Sequence, residues 1–366
     1  MTPCLRPRRP RLQLEPLEDR RVPTMSVLYG QLPDANGNLN LTFTTTGSTL
    51  EVAQTNYAQF RLTDNAGGSL IVNNVFGDLR ISARSLNAAG LTATLALDGT
   101  TYGDIPGNVT FNLAALNPTS PVDFQLTAAT PSNVLGDFTL TTTAAAASAA
   151  RFEPAADTAI LGNLTVRLQG GTAAHLKTVT LGDGAAAFRV NGTVYAPLLN
   201  QFDARTGTQL LGNLTVTTKT TTGVANLFRL ADKASVAGYL SVVMGNVFGG
   251  GTSSVVLGGD LAHVTSIRLG FNSGPGTTNQ VTLQNTMTSS GNLVFIQGAN
   301  GSKRVNVQGA TAPLAMLLVR VGNAPLNQVI FSGANQFASG ILIGGLGVNK
   351  VSGAVAFPLR LYRFSY

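Results

Sequence analysis

A short motif recurs along this chain and constrains its fold more than any other feature of the sequence. The motif is Gly-(Asn/Asp)-apolar-x-apolar, and alternation of apolar with small or polar residues follows most copies. Alternation with a period of two places alternate side chains on opposite faces of a β-strand. The motif therefore predicts strands that each begin just after a glycine corner. The copies begin at Gly37, Gly77, Gly107, Gly136, Gly162, Gly212 and Gly291, with looser copies at Gly192, Gly238 and Gly259.

A second strand precedes several of these corners at a constant distance. An apolar residue stands ten positions before the corner glycine at Phe152, Phe202, Phe228 and Val281. Further strands of this second type are predicted at residues 60–62, 124–126, 188–190, 305–307 and 329–331. The alternation predicts that the following side chains face the core: Leu164, Val166, Phe202, Leu214, Val216 and Phe228.

Stacking of the repeated units explains how such strands become stable. Two short strands cannot bury their apolar faces alone, but copies stacked about 4.8 Å apart form a continuous core. Glycine permits a tightly bent corner, and Asn tolerates the same backbone and bonds its own turn. We therefore predict an all-β fold, a right-handed parallel β-helix solenoid with three short faces and rungs of about 26 residues, the distance from Gly136 to Gly162. Tandem β-sandwich domains are the alternative; they require hairpins, and tight Asn-Gly or Asp-Gly turns between matched strands are few here.

Composition agrees with a β fold and limits the available chemistry. Only 11% of the residues are charged, against roughly 25% in ordinary globular domains, so exposed helix faces would lack their usual Lys and Glu. The net charge is +7, but the Lys and Arg residues of the body show no cluster that would neutralise a run of phosphates. No apolar run approaches 18 residues. We expect neither nucleic-acid binding nor a membrane-spanning segment.

The first 24 residues differ from the rest of the chain. They hold six arginines, three acidic residues and the only cysteine, Cys4. Residues 8–23 read RRPRLQLEPLEDRRVP, which resembles the LEPLEDR-type export and surface leader of planctomycete bacterial proteins. The resemblance implies an exported protein, either extracellular or in the cell envelope. We predict a disordered basic export-type leader over residues 1–24 and a single repetitive β-solenoid body over residues 25–366.

Side chains that carry catalytic or metal chemistry are sparse. The two histidines, His175 and His263, are 88 residues apart and have no partner at zinc-ligand spacing. No glycine-rich stretch is followed by Lys-Ser/Thr, so no phosphate-binding loop is indicated. We predict no metal site and no cofactor. The body resembles pectin-lyase-like β-helix proteins in its repeat pattern alone; enzymes of that kind need clustered carboxylates, which are dispersed here.

One set of charged side chains would lie together if the repeats align on their phenylalanines. Glu153, Asp203 and Arg229 each follow the phenylalanine of a second strand, and Arg189 follows Phe188 in the same way. The alignment predicts one outward column, which would form a shallow groove for a sugar acid. The alternative is a charge-alternating ladder that keeps the exterior soluble, in which each exposed pair contributes about 0–1 kcal/mol.

These observations favour an exported cell-surface or envelope protein that is structural or adhesive and has no catalytic activity. Two alternatives remain open: a polysaccharide lyase or glycoside hydrolase on a β-helix scaffold, and a lectin-like glycan binder. The partners that we expect are extracellular glycans or other envelope proteins. The candidate glycan contacts are Glu153, Arg189, Asp203 and Arg229.

Overall fold

The computed structural model describes residues 25–29, 32–117, 120–143, 147–169, 176–220, 225–246, 251–261, 263–274, 276–284, 287–289, 291, 293–298 and 300–365. The predicted leader and His175 lie outside these residues. The described part of the chain consists of 35 strands and one short helix.

In chain order the elements are β1 Met25–Tyr29, β2 Leu39–Thr45, β3 Thr49–Asn56, β4 Gln59–Asp64, β5 Ser69–Val72, β6 Leu79–Ser85, β7 Leu91–Leu97, α1 Gly99–Tyr102, β8 Val109–Ala115, β9 Val122–Ala128, β10 Ser132–Val134, β11 Phe138–Thr143, β12 Ser148–Phe152, β13 Thr158–Ile160, β14 Leu164–Gln169, β15 Lys177–Leu181, β16 Phe188–Val190, β17 Val194–Leu199, β18 Gln201–Ala204, β19 Thr208–Leu210, β20 Leu214–Thr220, β21 Asn226–Leu230, β22 Ser235–Val236, β23 Leu240–Asn246, β24 Thr252–Leu257, β25 Asp260–Leu261, β26 Ile267–Ser273, β27 Thr278–Leu283, β28 Thr288–Ser289, β29 Leu293–Gly298, β30 Ser302–Gln308, β31 Thr311–Val321, β32 Leu326–Ser332, β33 Gln336–Ile343, β34 Val348–Ser352 and β35 Leu359–Tyr362.

The strands stack in three columns, which we call faces 1, 2 and 3. Face 1 contains β2, β6, β8, β11, β14, β17, β20, β23, β26, β29, β31, β33 and β35, and face 2 contains β3, β7, β9, β12, β15, β18, β21, β24, β27, β30, β32 and β34. Face 3 contains β10, β13, β16, β19, β22, β25, β28 and the first residues of β31 and β33. Neighbours within these columns pair in parallel, and nine successive coils that have all three faces follow one another about 26 residues apart. The predicted β-solenoid is therefore confirmed.

Antiparallel pairing occurs at the N-terminal end of the solenoid. Strand β1 pairs with β2 at the edge of face 1, and β3, β4 and β5 form an antiparallel series at the edge of face 2. The strand predicted at residues 60–62 is present as part of β4, but it runs against its neighbours because only residues 57 and 58 separate it from β3. The strand at residues 188–190 is also present, on face 3 and not on face 2.

The core is a column of apolar side chains enclosed by the three faces. The six side chains predicted to face the core are all fully buried, which confirms the strand register at those positions. Phenylalanine rings stack within this core: the centroids of Phe202 and Phe228 lie 5.3 Å apart, and the two ring planes are nearly parallel at 5°. Phe138 and Phe152 meet edge to face at 5.3 Å. Offset and edge-on ring pairs of this kind add about 0.5–1.5 kcal/mol to their area burial.

The corner glycines are required by close approach between successive coils. A Cβ atom on Gly107 would lie 2.4 Å from the carbonyl carbon of Gly77, and one on Gly212 would lie 2.3 Å from the carbonyl oxygen of Gly192. Among the motif glycines, positive φ occurs at Gly37 alone, with a value of 75°. The motif therefore selects glycine for space, and its backbone freedom is needed at only one corner.

Candidate functional site

Three of the four predicted glycan contacts belong to one network of ion pairs on the outer surface of face 2. An arginine that the sequence reasoning missed, Arg205, joins them: its Nη1 atom lies 2.9 Å from Oε1 of Glu153, and its Nε atom lies 3.6 Å from Oδ2 of Asp203. Nε of Arg229 lies 3.8 Å from Oδ1 of Asp203. The two carboxylates are thus paired with two arginines of the same chain.

The alignment of these residues was predicted correctly for two of them and wrongly for Glu153. Asp203 and Arg229 are register partners on β18 and β21. Phe152, however, shares its column with Leu181 and Ala204 and not with Phe202, so Glu153 lies two positions further along.

The cause of the shift is the corner between faces 2 and 3. From Phe152 to the first face 3 residue, Thr158, there are six positions, whereas from Ala204 to the equivalent Thr208 there are four. The constant distance of ten residues from phenylalanine to glycine concealed this longer corner.

Arg189 lies outside the network, and its predicted position is wrong. It is exposed in the middle of β16 on face 3, between Ala159 and Gln209 of the neighbouring strands. A shallow concavity of about 200 Å³ adjoins it and is also lined by Asp157 and Asn133. Phe188 stands four residues before Gly192 and not ten. Face 3 strands begin four residues before the corner glycine, as Thr208 does before Gly212. The shorter distance therefore indicated that Phe188 belongs to face 3.

A line of hydrogen bonds between coils runs along the corner that precedes face 1. We call it the corner ladder, and its members are Asn38, Asp78, Asn108, Asp137, Asn163, Thr193, Asn213 and Tyr239. In six of the seven steps, a side-chain oxygen of one coil accepts the backbone N–H of the member in the next coil, at 2.8–3.0 Å. Between the coils of Thr193 and Asn213 the bond is instead a backbone one, from the N–H of Val194 to the carbonyl oxygen of Asn213 at 2.8 Å. The sequence reasoning assigned these Asn and Asp residues to local turns and missed their bonds between coils.

Amides and carboxylates alternate at the start of the corner ladder. Oδ1 of Asp78 accepts both the backbone N–H and the side-chain Nδ2–H of Asn108, at 2.9 and 3.0 Å. Oδ1 of Asp137 accepts the same two groups of Asn163, at 2.8 and 3.1 Å. Each of these carboxylates therefore receives two donors from the following coil, and no two carboxylates are consecutive among the members of the corner ladder. The arrangement joins coils to one another and leaves these oxygens engaged.

A second polar column lies at the start of the face 2 strands, on the side that points inward. It contains Ser148, Lys177, Asn200, Asn226, Ser253, Asn279, Lys303, Asn327 and Asn349. Lys303 is only 3% exposed, and its ammonium donates to the carbonyl oxygens of Asn300 and Gly301. Burial lowers the pKa of Lys303 to about 8 and also lowers the pKa of Lys177. Because its ammonium is engaged by carbonyls beneath the surface, Lys303 secures the turn before β30.

Acidic side chains elsewhere have similarly structural roles. Oδ1 of Asp123 accepts the N–H of Ala149 at 2.9 Å, while burial raises the pKa of Asp123 against the opposing effects of that bond and of Arg151. The pKa of Asp183 is lowered, chiefly by the backbone N–H of Ala185. These shifts follow from local burial and turn hydrogen bonds, and they do not define a shared catalytic centre.

The described part of the chain has neither a cluster of metal ligands nor a membrane-crossing helix. Within it, no group of three or more His, Cys, Asp and Glu side chains is placed to hold a metal ion. His263 is exposed. None of the helices in the same residues is long and apolar enough to cross a membrane.

The chain matches no protein-family model, no curated protein and no solved structure. Its functional interpretation therefore depends on its own geometry.

Proposed function

We propose that this chain is an exported structural protein, in which the solenoid serves as a rigid spacer or adhesive rod of the cell surface or envelope and catalyses no reaction. The observation that carries the proposal is the use made of the carboxylates. Those that accept hydrogen bonds or form ion pairs within the chain are Asp34, Glu51, Asp64, Asp78, Asp98, Asp104, Asp123, Asp137, Glu153, Asp157, Asp183, Asp203 and Asp260.

This use of the carboxylates supports a structural role over a catalytic one. A general acid or base needs a carboxyl group that reaches the substrate, and a β-helix lyase or hydrolase needs several that converge. Here these acids are spread along the rod and bonded to backbone amides, side-chain amides, hydroxyls and arginines, either in their own turn or in a neighbouring strand or coil. In the Glu153–Arg205–Asp203–Arg229 network, the carboxylates pair with the arginines to which a sugar acid would otherwise bind.

The dimensions of the solenoid support a spacer. Face 2 stacks its strands in parallel from β3 to β34, which at about 4.8 Å per step gives a rod of roughly 50 Å. The corner ladder and the apolar core link its successive coils. The leader sequence supports export, because it resembles the surface-directed leaders described above.

Labelling of intact cells tests the location. Antibodies against the body would be applied to unpermeabilised cells of the organism that carries the gene, with a cytosolic protein as the control for lysis. We expect surface labelling, and its loss after external protease treatment. Labelling that appears only after permeabilisation and tracks the cytosolic control would overturn the proposed location.

Incubation with polysaccharides tests the absence of catalysis. The full chain would be incubated with acidic and neutral polysaccharides, with and without calcium, and assayed for reducing ends and unsaturated products. We expect none. Product that disappears in the Asp203→Asn or Glu153→Gln variant would overturn the non-catalytic proposal and assign the reaction to this network.

A further inference from the structure

The C-terminal third of the rod differs in charge from the rest. All 17 acidic residues lie at or before Asp260, whereas seven of the 24 basic residues follow it. Residues 261–366 therefore carry a net charge of +7, while residues 25–260, with 11 basic and 14 acidic residues, carry −3. The rod is electrically asymmetric along its length, and its basic end has no carboxylate of its own.

The outer surface of face 1 also changes in this third. Further towards the N-terminus the outward positions are mostly polar, as at Thr110, Thr139, Thr165 and Thr215. On β29, β31 and β33 most of the outward, half-buried side chains are instead apolar: Leu293, Phe295, Met316, Leu318, Ile341 and Ile343. Ser339 and the exposed Gln297 are polar exceptions on these strands. Leu314 stands 66% exposed beside them, where an irregularity in β31 interrupts its pairing with β33.

Arginines border these apolar side chains. The outward column reads Arg268, Phe295, Leu318, Ile341 and Arg360 across five successive strands, so an exposed arginine lies at each end. Arg320 borders the patch on the adjacent column and is also exposed. We call these six apolar residues with Arg268, Arg320 and Arg360 the arginine-bordered patch.

Face 2 of the same coils provides an internal comparison. Its outward positions include Gln280, Arg304, Gln328 and Lys350, which form one polar column. The only aliphatic side chain at the centre of the adjacent column is Ile330, which lies between Asn306 and Ser352. Leu326 and Val348, register partners at the first positions of β32 and β34, are further exposed aliphatic residues of face 2. Apolar outward side chains on face 2 are thus single or paired, whereas on face 1 they form a patch that continues across three strands.

Neither a second copy nor the leader is a suitable occupant of the arginine-bordered patch. Self-pairing would bring the same arginines against each other, and the leader contributes six arginines against three acids. The patch spans three strands and about 200 Å², far below the roughly 800 Å² per partner of a stable protein interface. The charges call for an anionic partner.

We propose that the arginine-bordered patch docks on the surface of an anionic lipid bilayer. Leu, Ile, Met and Phe side chains would enter the boundary between headgroups and acyl chains, while the bordering arginines bind the phosphates above it. A polysaccharide fits less well, because its hydroxyl groups would lose water against side chains that neither donate nor accept hydrogen bonds. This inference adds an anionic membrane as a partner of the proposed surface rod. It rests on the proposed function only in one respect: export determines which membrane the protein meets.

A single tryptophan can report on the patch directly, because the chain contains none. Full-length Phe295→Trp would be mixed with vesicles of phosphatidylcholine alone or with 30% phosphatidylglycerol, and with vesicles that carry brominated acyl chains. We expect a blue shift and bromine quenching with the anionic vesicles. The matched Ile330→Trp variant on face 2 should show neither. Vesicle-bound protein whose Phe295→Trp emission does not change would overturn the proposal and assign binding to another part of the chain.

Paired substitutions test the two components of the patch in a vesicle flotation assay. Arg268→Gln with Arg360→Gln should weaken binding about 30-fold, at about 1 kcal/mol for each basic residue near the surface. The control Arg304→Gln with Lys350→Gln removes the same charge from face 2 of these coils and should change binding less than threefold. Equal losses in the two pairs would overturn the proposal, since net charge alone would then account for binding.

Leu318→Thr with Ile341→Thr should weaken vesicle binding about tenfold, because both residues would take the side chain found at outward positions of earlier coils. Unchanged vesicle binding, with the loss seen instead for an acidic polysaccharide, would overturn the lipid assignment. Vesicle binding does not depend on cellular location. Failure here therefore leaves the proposed function standing, and failure of surface labelling leaves this result intact.

Discussion

Exchanging one amide for a carboxylate in the corner ladder gives a sharp test of how the coils are joined. Asn163→Asp leaves the size and shape of the side chain unchanged. It replaces the Nδ2–H donor, which lies 3.1 Å from Oδ1 of Asp137, with an oxygen. Two carboxylates of successive coils would then stand side by side. The reverse change, Asp137→Asn, keeps an oxygen that accepts both donors of Asn163 and is the matched control.

The expected cost follows from these contacts. Loss of the side-chain hydrogen bond costs about 1 kcal/mol. Two unit charges about 4 Å apart repel by about 1 kcal/mol in water and about 4 kcal/mol at the effective dielectric of a protein surface. Both residues are exposed, so the lower figure is nearer, and we expect Asn163→Asp to lower the free energy of unfolding by about 2 kcal/mol at pH 7. Asp137→Asn should change it by less than 1 kcal/mol.

Urea unfolding followed by circular dichroism measures both variants, and pH separates charge from shape. At about pH 3, where carboxylates take up protons, the deficit of Asn163→Asp relative to the wild type should shrink to less than 1 kcal/mol. The double variant with Asp137→Asn should recover most of the loss at pH 7, because a donor again faces the new carboxylate. A loss of unfolding free energy that is equal at both pH values, or equal in the two single variants, would refute the claim that the corner ladder stabilises the contact between coils.

Two further predictions concern the interior. Phe202→Ala should lower the free energy of unfolding by about 3–5 kcal/mol, since the ring is fully buried against Phe228; a loss below 1 kcal/mol in urea titration, or one no larger than that of the outward Gln201→Ala, would contradict the register. Because burial lowers the pKa of Lys303 from 10.5 to about 8, the unfolded chain binds more protons between these values, and stability should rise by about 3 kcal/mol from pH 8 to pH 10.5. Below pH 8 the cost of the buried charge is fully present, so Lys303→Met should remove the rise; a variant with the same pH profile as the wild type would show that Lys303 is not its source.

The sequence was sufficient to predict the solenoid because its two signals are local. Alternation around Leu164 and Leu214 identifies strands with one buried side, and the glycine before each strand places the corners. Strand direction is not local in this sense: the alternation of β4 reads the same in either orientation, so its antiparallel pairing could not be predicted. A Phe–Gly distance of ten residues likewise conceals whether the extra residues lie in the face 2 strand or in the corner that follows it, which displaced Glu153.

The candidate sites were harder to predict because they depend on register between coils. Asp137 and Asn163 are 26 residues apart in sequence, and Glu153 and Arg205 are 52 apart, so neither pair leaves a local pattern. The charge asymmetry could have been counted from the sequence. Its meaning required knowing that Phe295, Leu318 and Ile341 point outward, because an apolar residue in a strand is otherwise assigned to the core.

The antiparallel series at the N-terminal end has a consequence for how the chain acquires its structure. Strands β3, β4 and β5 pair residues that are close in sequence, such as Leu50 with Asp64, 14 positions apart, whereas Leu91 of β7 pairs with Val122, 31 positions further on. Closing the shorter loops costs less entropy, so we expect this series to form early. Strand β3 then offers its other edge to β7. We therefore expect the coils to stack in the order of their synthesis, each folding onto a neighbour that has already formed.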